Sequence, residues 1–89
     1  MKECPITLCP FHELLNPVAF SCALDQPYEL DALCMWMEVC PRNPLTGRVA
    51  RVDDLVALGS ASQQRESVEW MKRRGLTITL NQVFFIQLQ

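Results

Sequence analysis

The sequence predicts a small α+β domain, and three patterns indicate this class. Apolar residues within 30–37 recur at the spacing of one helical face. A capped helix is expected over residues 60–74. Apolar and polar residues then alternate in two runs, 76–80 and 84–88, as they do in strands. The 89 residues suffice for one core but not for two, so these elements are expected to share a single domain.

The first helix is predicted from Leu30, Leu33, Cys34 and Met37, which fall at positions i, i+3, i+4 and i+7. Trp36 lies beside this apolar stripe rather than at its centre. We therefore expect Leu33 and Met37 to be buried while Trp36 shows part of its ring to solvent.

The second helix has a start signal and a stop signal. Ser60 and Gln63 fit a capping box, and Gly75 suits a C-terminal stop. The basic run Lys72-Arg73-Arg74 complements the helix dipole in the last turn, which explains these charges without an anionic partner.

The remaining segments are mostly loops. Prolines in the first 17 residues forbid a long helix there. Val18-Ala19-Phe20 is a brief apolar run followed by the turn-forming Asp25-Gln26-Pro27, which predicts a hairpin. Asp53 is expected to cap a short helical turn carrying Leu55 and Leu58. No internal repeat is recognised along the chain.

The composition excludes several partners. The net charge of −2 lacks the basic surplus that binding to a phosphate backbone requires, so no nucleic-acid partner is predicted. No run approaches the roughly 20 apolar residues of a membrane span, and the first residues lack the apolar core of a secretory signal. A cytoplasmic location is therefore expected, with no membrane partner.

The five cysteines are odd in number, which suits a reducing compartment and predicts mainly buried thiols. They lack the paired C-x2-C steps of structural zinc sites, so no metal ligand and no cofactor is predicted, with zinc as a minor alternative. A cysteine nucleophile would need a histidine base. His12 is the only histidine and is expected at the surface of a proline-rich loop.

Four motifs occur in one order along the chain. They are Cys4-Pro5-Ile6-Thr7, Asn16-Pro17-Val18, the stretch from Pro27-Tyr28-Glu29 to Trp36, and Asn43-Pro44-Leu45-Thr46. In this order and spacing the sequence resembles the U-box family of RING-like E3 ubiquitin ligase domains, which contain no zinc. The closest resemblance within that group is to the C-terminal domain of the bacterial NleG-type effectors. The resemblance implies a U-box-like core over residues 1–58, with residues 59–89 adding a helix and a β-hairpin to the same domain.

The resemblance implies that the chain recruits a ubiquitin-charged E2 enzyme and promotes ubiquitin transfer without a nucleophile of its own. The positions that match the family's E2-binding groove are Ile6, Trp36, Pro44 and Leu45. Many active members carry a basic residue directly after the second-loop Ser or Thr, where this chain has Gly47. Arg48 follows, and its guanidinium is the candidate for contacting E2 and ubiquitin together.

In zinc-free relatives, hydrogen bonds and ion pairs hold the loops, and such networks stabilise a fold only when they are fully satisfied. The candidates for this role are Ser21, Asp25, Gln26, Glu29, Asn43 and Arg48.

The sequence is compatible with two functional hypotheses. The first is an E3 ubiquitin transferase with E2, ubiquitin and an unidentified substrate protein as partners. The second is a non-catalytic interaction module with the same fold. The effector likeness places the site of action in the cytoplasm of a eukaryotic host cell. The apolar segment Val83-Phe84-Phe85-Ile86 is expected to complete the sheet, with homodimerisation as the second choice.

Overall fold

The computed structural model describes residues 2–81, in which a four-stranded mixed sheet is combined with two α-helices. The elements are β1 (Pro17–Phe20), β2 (Tyr28–Glu29), α1 (Leu30–Val39), β3 (Leu55–Ala57), α2 (Ala61–Lys72) and β4 (Thr79–Leu80). Two single 3-10 turns, Phe11–Glu13 and Val52–Asp54, precede β1 and β3. The predicted α+β class is confirmed.

The strands lie in the order β2-β1-β3-β4. β1 runs antiparallel to both of its neighbours, with Val18 opposite Tyr28 on one side and Ala57 on the other. β4 runs parallel to β3. The predicted hairpin is therefore confirmed as the β1–β2 pair.

Helix α1 buries the four residues that its periodicity predicts: Leu30, Leu33, Cys34 and Met37. These side chains join a core cluster that includes Val18 and Phe20 of β1 and Leu55 of β3. The amphipathic spacing placed this helix correctly because a helix beside a small sheet has one inward face.

Both predicted boundary signals of α2 are present. Ser60 Oγ accepts a hydrogen bond from the N–H of Gln63 at 3.1 Å, and Gln63 Oε1 accepts one from the N–H of Ser60 at 2.8 Å. At the other end the N–H of Leu76 donates to the carbonyl of Met71, and Gly75 takes φ +72°. A side chain at Gly75 would strain this left-handed stop.

The expectation of a helical turn carrying Leu55 and Leu58 is wrong. The single turn lies earlier, at Val52–Asp54, and Leu55–Ala57 form the strand β3 between β1 and β4. All three residues of β3 are buried. A short strand with both faces covered shows no alternation in its sequence, which is why the pattern was misread.

The chain after α2 returns to the same core. Leu76, Ile78 and Leu80 are half-buried, whereas Thr77 and Thr79 are exposed, so the alternation predicted for 76–80 is confirmed. Hydrogen-bonded strand geometry covers only Thr79–Leu80. The predicted partner strand at 84–88 lies outside the described residues.

No helix within residues 2–81 combines the length and the apolar character needed to cross a lipid bilayer.

Candidate functional site

A loop of residues 3–10, here called loop 1, precedes the sheet and closes on itself. Glu3 and Pro10 form an isolated antiparallel bridge, and the N–H of Cys4 donates to the carbonyl of Cys9 at 2.9 Å. Inside the loop the N–H of Leu8 donates back to the carbonyl of Cys4 at 2.8 Å, and Leu8 takes φ +63°. A leucine in this left-handed region is costly, so the closed loop must enforce it.

A second loop, residues 42–49 or loop 2, follows α1 and has the same construction. Arg42 and Val49 form the bridge, and the N–H of Asn43 donates to the carbonyl of Arg48 at 2.8 Å. The N–H of Gly47 donates back to the carbonyl of Asn43 at 2.9 Å, and Gly47 takes φ +72°. Gly47 of loop 2 thus occupies the position that Leu8 occupies in loop 1.

The two loops correspond residue for residue, so the expectation of no internal repeat is wrong. Each loop contains a proline, a branched aliphatic residue and a threonine in succession: Pro5-Ile6-Thr7 in loop 1 and Pro44-Leu45-Thr46 in loop 2. The hydroxyl of each threonine accepts a hydrogen bond from the N–H two residues later, at 3.3 Å in loop 1 and 3.2 Å in loop 2. Ile6 and Leu45 are therefore equivalent positions on equivalent loops.

Each loop is organised around one side-chain acceptor at its second position. In loop 1, Cys4 Sγ accepts hydrogen bonds from the N–H of Thr7 at 3.5 Å and from the N–H of Glu29 at 3.4 Å. In loop 2, Asn43 Oδ1 accepts from the N–H of Leu45 at 2.8 Å and from that of Thr46 at 3.3 Å. These acceptors satisfy N–H groups that a tight turn would otherwise leave unpaired.

The dipeptide Tyr28-Glu29 joins the two loops. The Tyr28 hydroxyl donates to Asn43 Oδ1 at 3.3 Å, while the N–H of Glu29 donates to Cys4 Sγ. Tyr28 is 1% exposed, so this link runs through the core. The start of α1 is therefore connected to loop 1 on one side and to loop 2 on the other.

The Glu29 carboxylate fixes the approach to β1. Its two oxygens accept hydrogen bonds from the N–H groups of Leu15 at 2.9 Å and Asn16 at 2.8 Å. A carboxylate that accepts two backbone N–H groups is a stronger clamp than a neutral acceptor.

Ionisation of the two buried groups reflects this arrangement. Burial raises the pKa of the Cys4 thiol, but hydrogen bonds from Thr7, Glu29 and Ile6 outweigh it and leave the pKa below its ordinary value. Burial, with a contribution from nearby Cys4, raises the pKa of Tyr28. Tyr28 thus stays a hydrogen-bond donor across the neutral range.

Trp36 connects the exposed side of α1 to loop 2. Its Nε1 donates to the carbonyl of Arg42 at 3.0 Å, and 40% of the residue remains exposed. Leu33 and Met37 are buried, so the predicted difference between Trp36 and its neighbours is confirmed.

Large apolar side chains on α1 and on both loops are exposed to solvent. They are Leu8, Met35, Val39, Leu45 and Val49, each more than half exposed. Of the predicted groove residues, Ile6 and Pro44 are half-buried and Leu45 is exposed. Exposed apolar side chains on α1 and on the two loops favour a protein-binding surface there.

The other predicted loop-stabilising residues make fewer contacts. Gln26 Nε2 donates to the carbonyl of Glu3 at 3.0 Å, and Asp25 forms a 3.2 Å ion pair with Lys2, so both touch the base of loop 1. Arg48 is exposed beside Gly47. Ser21 is exposed and is bonded through its backbone N–H to Asp54.

The cysteines differ in burial. Cys4 and Cys34 are buried and Cys40 is half-buried, but Cys9 and Cys22 are exposed, so the expectation of mainly buried thiols is wrong for the last two. In the part of the chain from residue 2 to residue 81, no three His, Cys, Asp or Glu side chains are placed to share a metal ion. His12 is exposed as predicted.

The roles of Cys4 and Tyr28 as loop anchors were not predicted. The available signal was the repeated Pro-x-Thr preceded by a polar acceptor, with Cys4 in one copy and Asn43 in the other. The two copies differ at the acceptor and at the left-handed position, which hid the repeat.

No protein-family model, no curated protein and no solved structure matches the chain.

Proposed function

We propose that the chain is a U-box-type E3 ubiquitin ligase domain that binds a ubiquitin-charged E2 enzyme through loop 1, loop 2 and the exposed face of α1. The observation that carries the proposal is the pairing of two equivalent loops by Tyr28-Glu29 beside a half-exposed Trp36. Loop 1 is bonded to the start of α1 and loop 2 to Trp36 near its end, and each loop carries an exposed apolar residue, which supports the E2-binding arrangement that the sequence motifs imply.

The acceptors at the loop bases support the zinc-free form of the domain. Cys4 Sγ and Asn43 Oδ1 each bind backbone N–H groups from within their own loop and one donor from Tyr28-Glu29. In this proposal the hydrogen bonds replace the zinc ions of a RING domain, because they fix both loops relative to α1.

The chemistry of such a domain is positional. The substrate amine attacks the thioester carbonyl of the E2–ubiquitin conjugate, the E2 cysteine leaves as thiolate, and the ligase supplies no covalent group. Holding the conjugate in one reactive orientation lowers the entropic part of the barrier. Arg48, exposed at the rim of loop 2, is the candidate for contacting E2 and ubiquitin together.

The second candidate function is an interaction module that binds E2, or another protein, without activating transfer. The observation that favours it is Gly47, which stands where many active family members have a basic residue. Its φ of +72° makes any residue with a β-carbon costly there, and glycine avoids that cost. The two functions differ in product, since only the ligase yields ubiquitin chains.

The test is a ubiquitination assay with ubiquitin, E1 and a panel of E2 enzymes. The ligase proposal expects chains with at least one E2, and expects Ile6→Ala and Pro44→Ala to abolish them. The matched control is Leu24→Ala, which truncates an exposed leucine on the β1–β2 connection and is expected to leave chain formation unchanged. Circular dichroism of each variant separates lost binding from lost folding.

The outcomes discriminate between the candidates. E2 binding without chains supports the interaction module. Absence of both binding and chains across the panel overturns the E2-recruiting proposal. If the ligase proposal holds, the narrower likeness to bacterial effectors places its action in the cytoplasm of a eukaryotic host.

A further inference from the structure

Loop 1 brings two cysteines together at its base. Glu3 and Pro10 form the antiparallel bridge that closes the loop, and Cys4 and Cys9 are the residues next to that bridge. The N–H of Cys4 donates to the carbonyl of Cys9 at 2.9 Å, while the carbonyl of Cys4 accepts from the N–H of Leu8 at 2.8 Å. The equivalent pair in loop 2 is Asn43 and Arg48, so the paired thiols are particular to loop 1.

Both sulfur atoms contact the same residue between them. Cys9 Sγ donates to the carbonyl of Thr7 at 3.8 Å, and Cys4 Sγ accepts from the N–H of Thr7 at 3.5 Å. The 2.9 Å hydrogen bond from the N–H of Cys4 to the carbonyl of Cys9, together with standard backbone bond lengths, keeps the two Cα atoms within about 7 Å of each other. A disulfide requires Cα atoms closer than about 7 Å.

The two thiols differ in a way that suits sequential oxidation. Cys9 is exposed, whereas Cys4 has no exposed surface. Hydrogen bonds that Cys4 Sγ receives lower its pKa despite burial, which favours the thiolate. An exposed thiol that meets the oxidant and a neighbouring thiolate that resolves the product are the two parts of a redox pair.

We propose that Cys4 and Cys9 are a modification site that forms a reversible disulfide when the chain meets a peroxide. Hydrogen peroxide oxidises the Cys9 thiol to a sulfenic acid with release of one water. The Cys4 thiolate then attacks the Cys9 sulfur, forming the S–S bond and expelling hydroxide. A dithiol reductant returns both thiols and is itself oxidised to a disulfide.

The disulfide alters the base of loop 1. In the reduced chain, Cys4 Sγ accepts a hydrogen bond from the N–H of Glu29 at 3.4 Å, at the start of α1. Turning Sγ toward Cys9 gives up this hydrogen bond and releases loop 1 from the Tyr28-Glu29 link. Weaker E2 binding after oxidation is the functional consequence, and that consequence rests on the proposed function.

The experiment treats the reduced full chain with hydrogen peroxide, blocks remaining thiols with an alkylating agent, and measures intact mass and fragment ions. The expected product is a monomer about 2 Da lighter before alkylation, with Cys4 and Cys9 protected and the other three cysteines alkylated. Cys9→Ser is expected to abolish this product. Cys22→Ser, which removes an exposed cysteine elsewhere, is the matched control and is expected to retain it.

Three results overturn the proposal: a Cys9 sulfenic acid trapped without any bond to Cys4, a disulfide-linked dimer in place of the internal bond, and protection of Cys4 that persists in Cys9→Ser. Mass is measured without E2, so failure of the ligase proposal leaves the disulfide test intact. E2 binding by the reduced and oxidised chains then tests the consequence separately.

Discussion

The Tyr28 hydroxyl donates a hydrogen bond to Asn43 Oδ1 at 3.3 Å, which joins the strand before α1 to the loop after it. The whole of α1 lies between the two residues in sequence, so this hydrogen bond ties loop 2 to the strand that precedes the helix. Because Tyr28 is buried, removing its hydroxyl tests how much this bond stabilises loop 2.

Replacing Tyr28 with Phe is expected to lower the free energy of unfolding by about 1 kcal/mol, because one buried hydrogen bond is lost while the ring packing is kept. Urea denaturation measures the change. The substitution should also increase the rate of amide hydrogen exchange more in loop 2 than in loop 1. Unchanged stability together with unchanged exchange would show that the hydroxyl does not hold loop 2.

Asn43→Ala removes the acceptor of Leu45, Thr46 and Tyr28 together, so we expect a loss of about 2 to 3 kcal/mol. Asn43→Asp keeps an oxygen acceptor at the same place and serves as the matched variant. The same denaturation experiment is expected to show a smaller loss for Asp. Equal losses in both variants would mean that the acceptor role is not what stabilises loop 2.

Gly47→Ala tests the left-handed position of loop 2. No atom lies within 4 Å of an added Cβ, so the cost comes from φ +72° alone. We expect a loss of about 1 kcal/mol, with a smaller loss for Gly47→Asn because Asn tolerates this conformation better. Thermal unfolding of the two variants checks the order, and a more stable Ala variant would contradict it.

The thiol of Cys4 predicts a pH dependence of stability. Its folded-state pKa lies below the ordinary value of 9.0, so between the two values the unfolded chain binds more protons than the folded chain. Relative to Cys4→Ala, the native protein should therefore gain stability as pH rises toward about 9, and lose that gain as pH falls through the folded pKa. Urea midpoints under reducing conditions measure this difference, and a constant difference would contradict it.

The sequence predicted the helices well because each carried a local signal. The stripe from Leu30 to Met37 and the Ser60–Gln63 capping box describe contacts within one element or with one inward face. Strand β3 was missed because three buried residues without alternation depend on neighbours distant in the chain for their conformation.

The candidate site was predictable in part. Trp36 was placed correctly from helical geometry alone. The link from Tyr28 to Asn43 and the acceptor role of Cys4 depend on distances between segments, which residue types do not encode. Gly47 looked like a departure from a family pattern, and its backbone angle gives the physical reason for glycine there.

Trp36→Ala is expected to weaken E2 binding at least tenfold, because half-exposed aromatic residues at the centre of an interface contribute most to affinity. Leu24→Ala is the control, since Leu24 is an exposed apolar residue outside loop 1, loop 2 and α1. Binding is measured by calorimetry with an E2 selected from the panel. Equal effects of the two variants on E2 affinity would show that Trp36 does not contribute to the interface.

The most direct test of the account is a titration of the isotope-labelled chain with E2 enzymes, followed by NMR chemical-shift mapping. We predict that the shifts move at residues 5–9, at the Trp36 indole N–H and at residues 44–48, while those of α2 stay fixed. Shifts confined to α2, or no shift with any E2 in the panel, would contradict E2 recruitment by the paired loops.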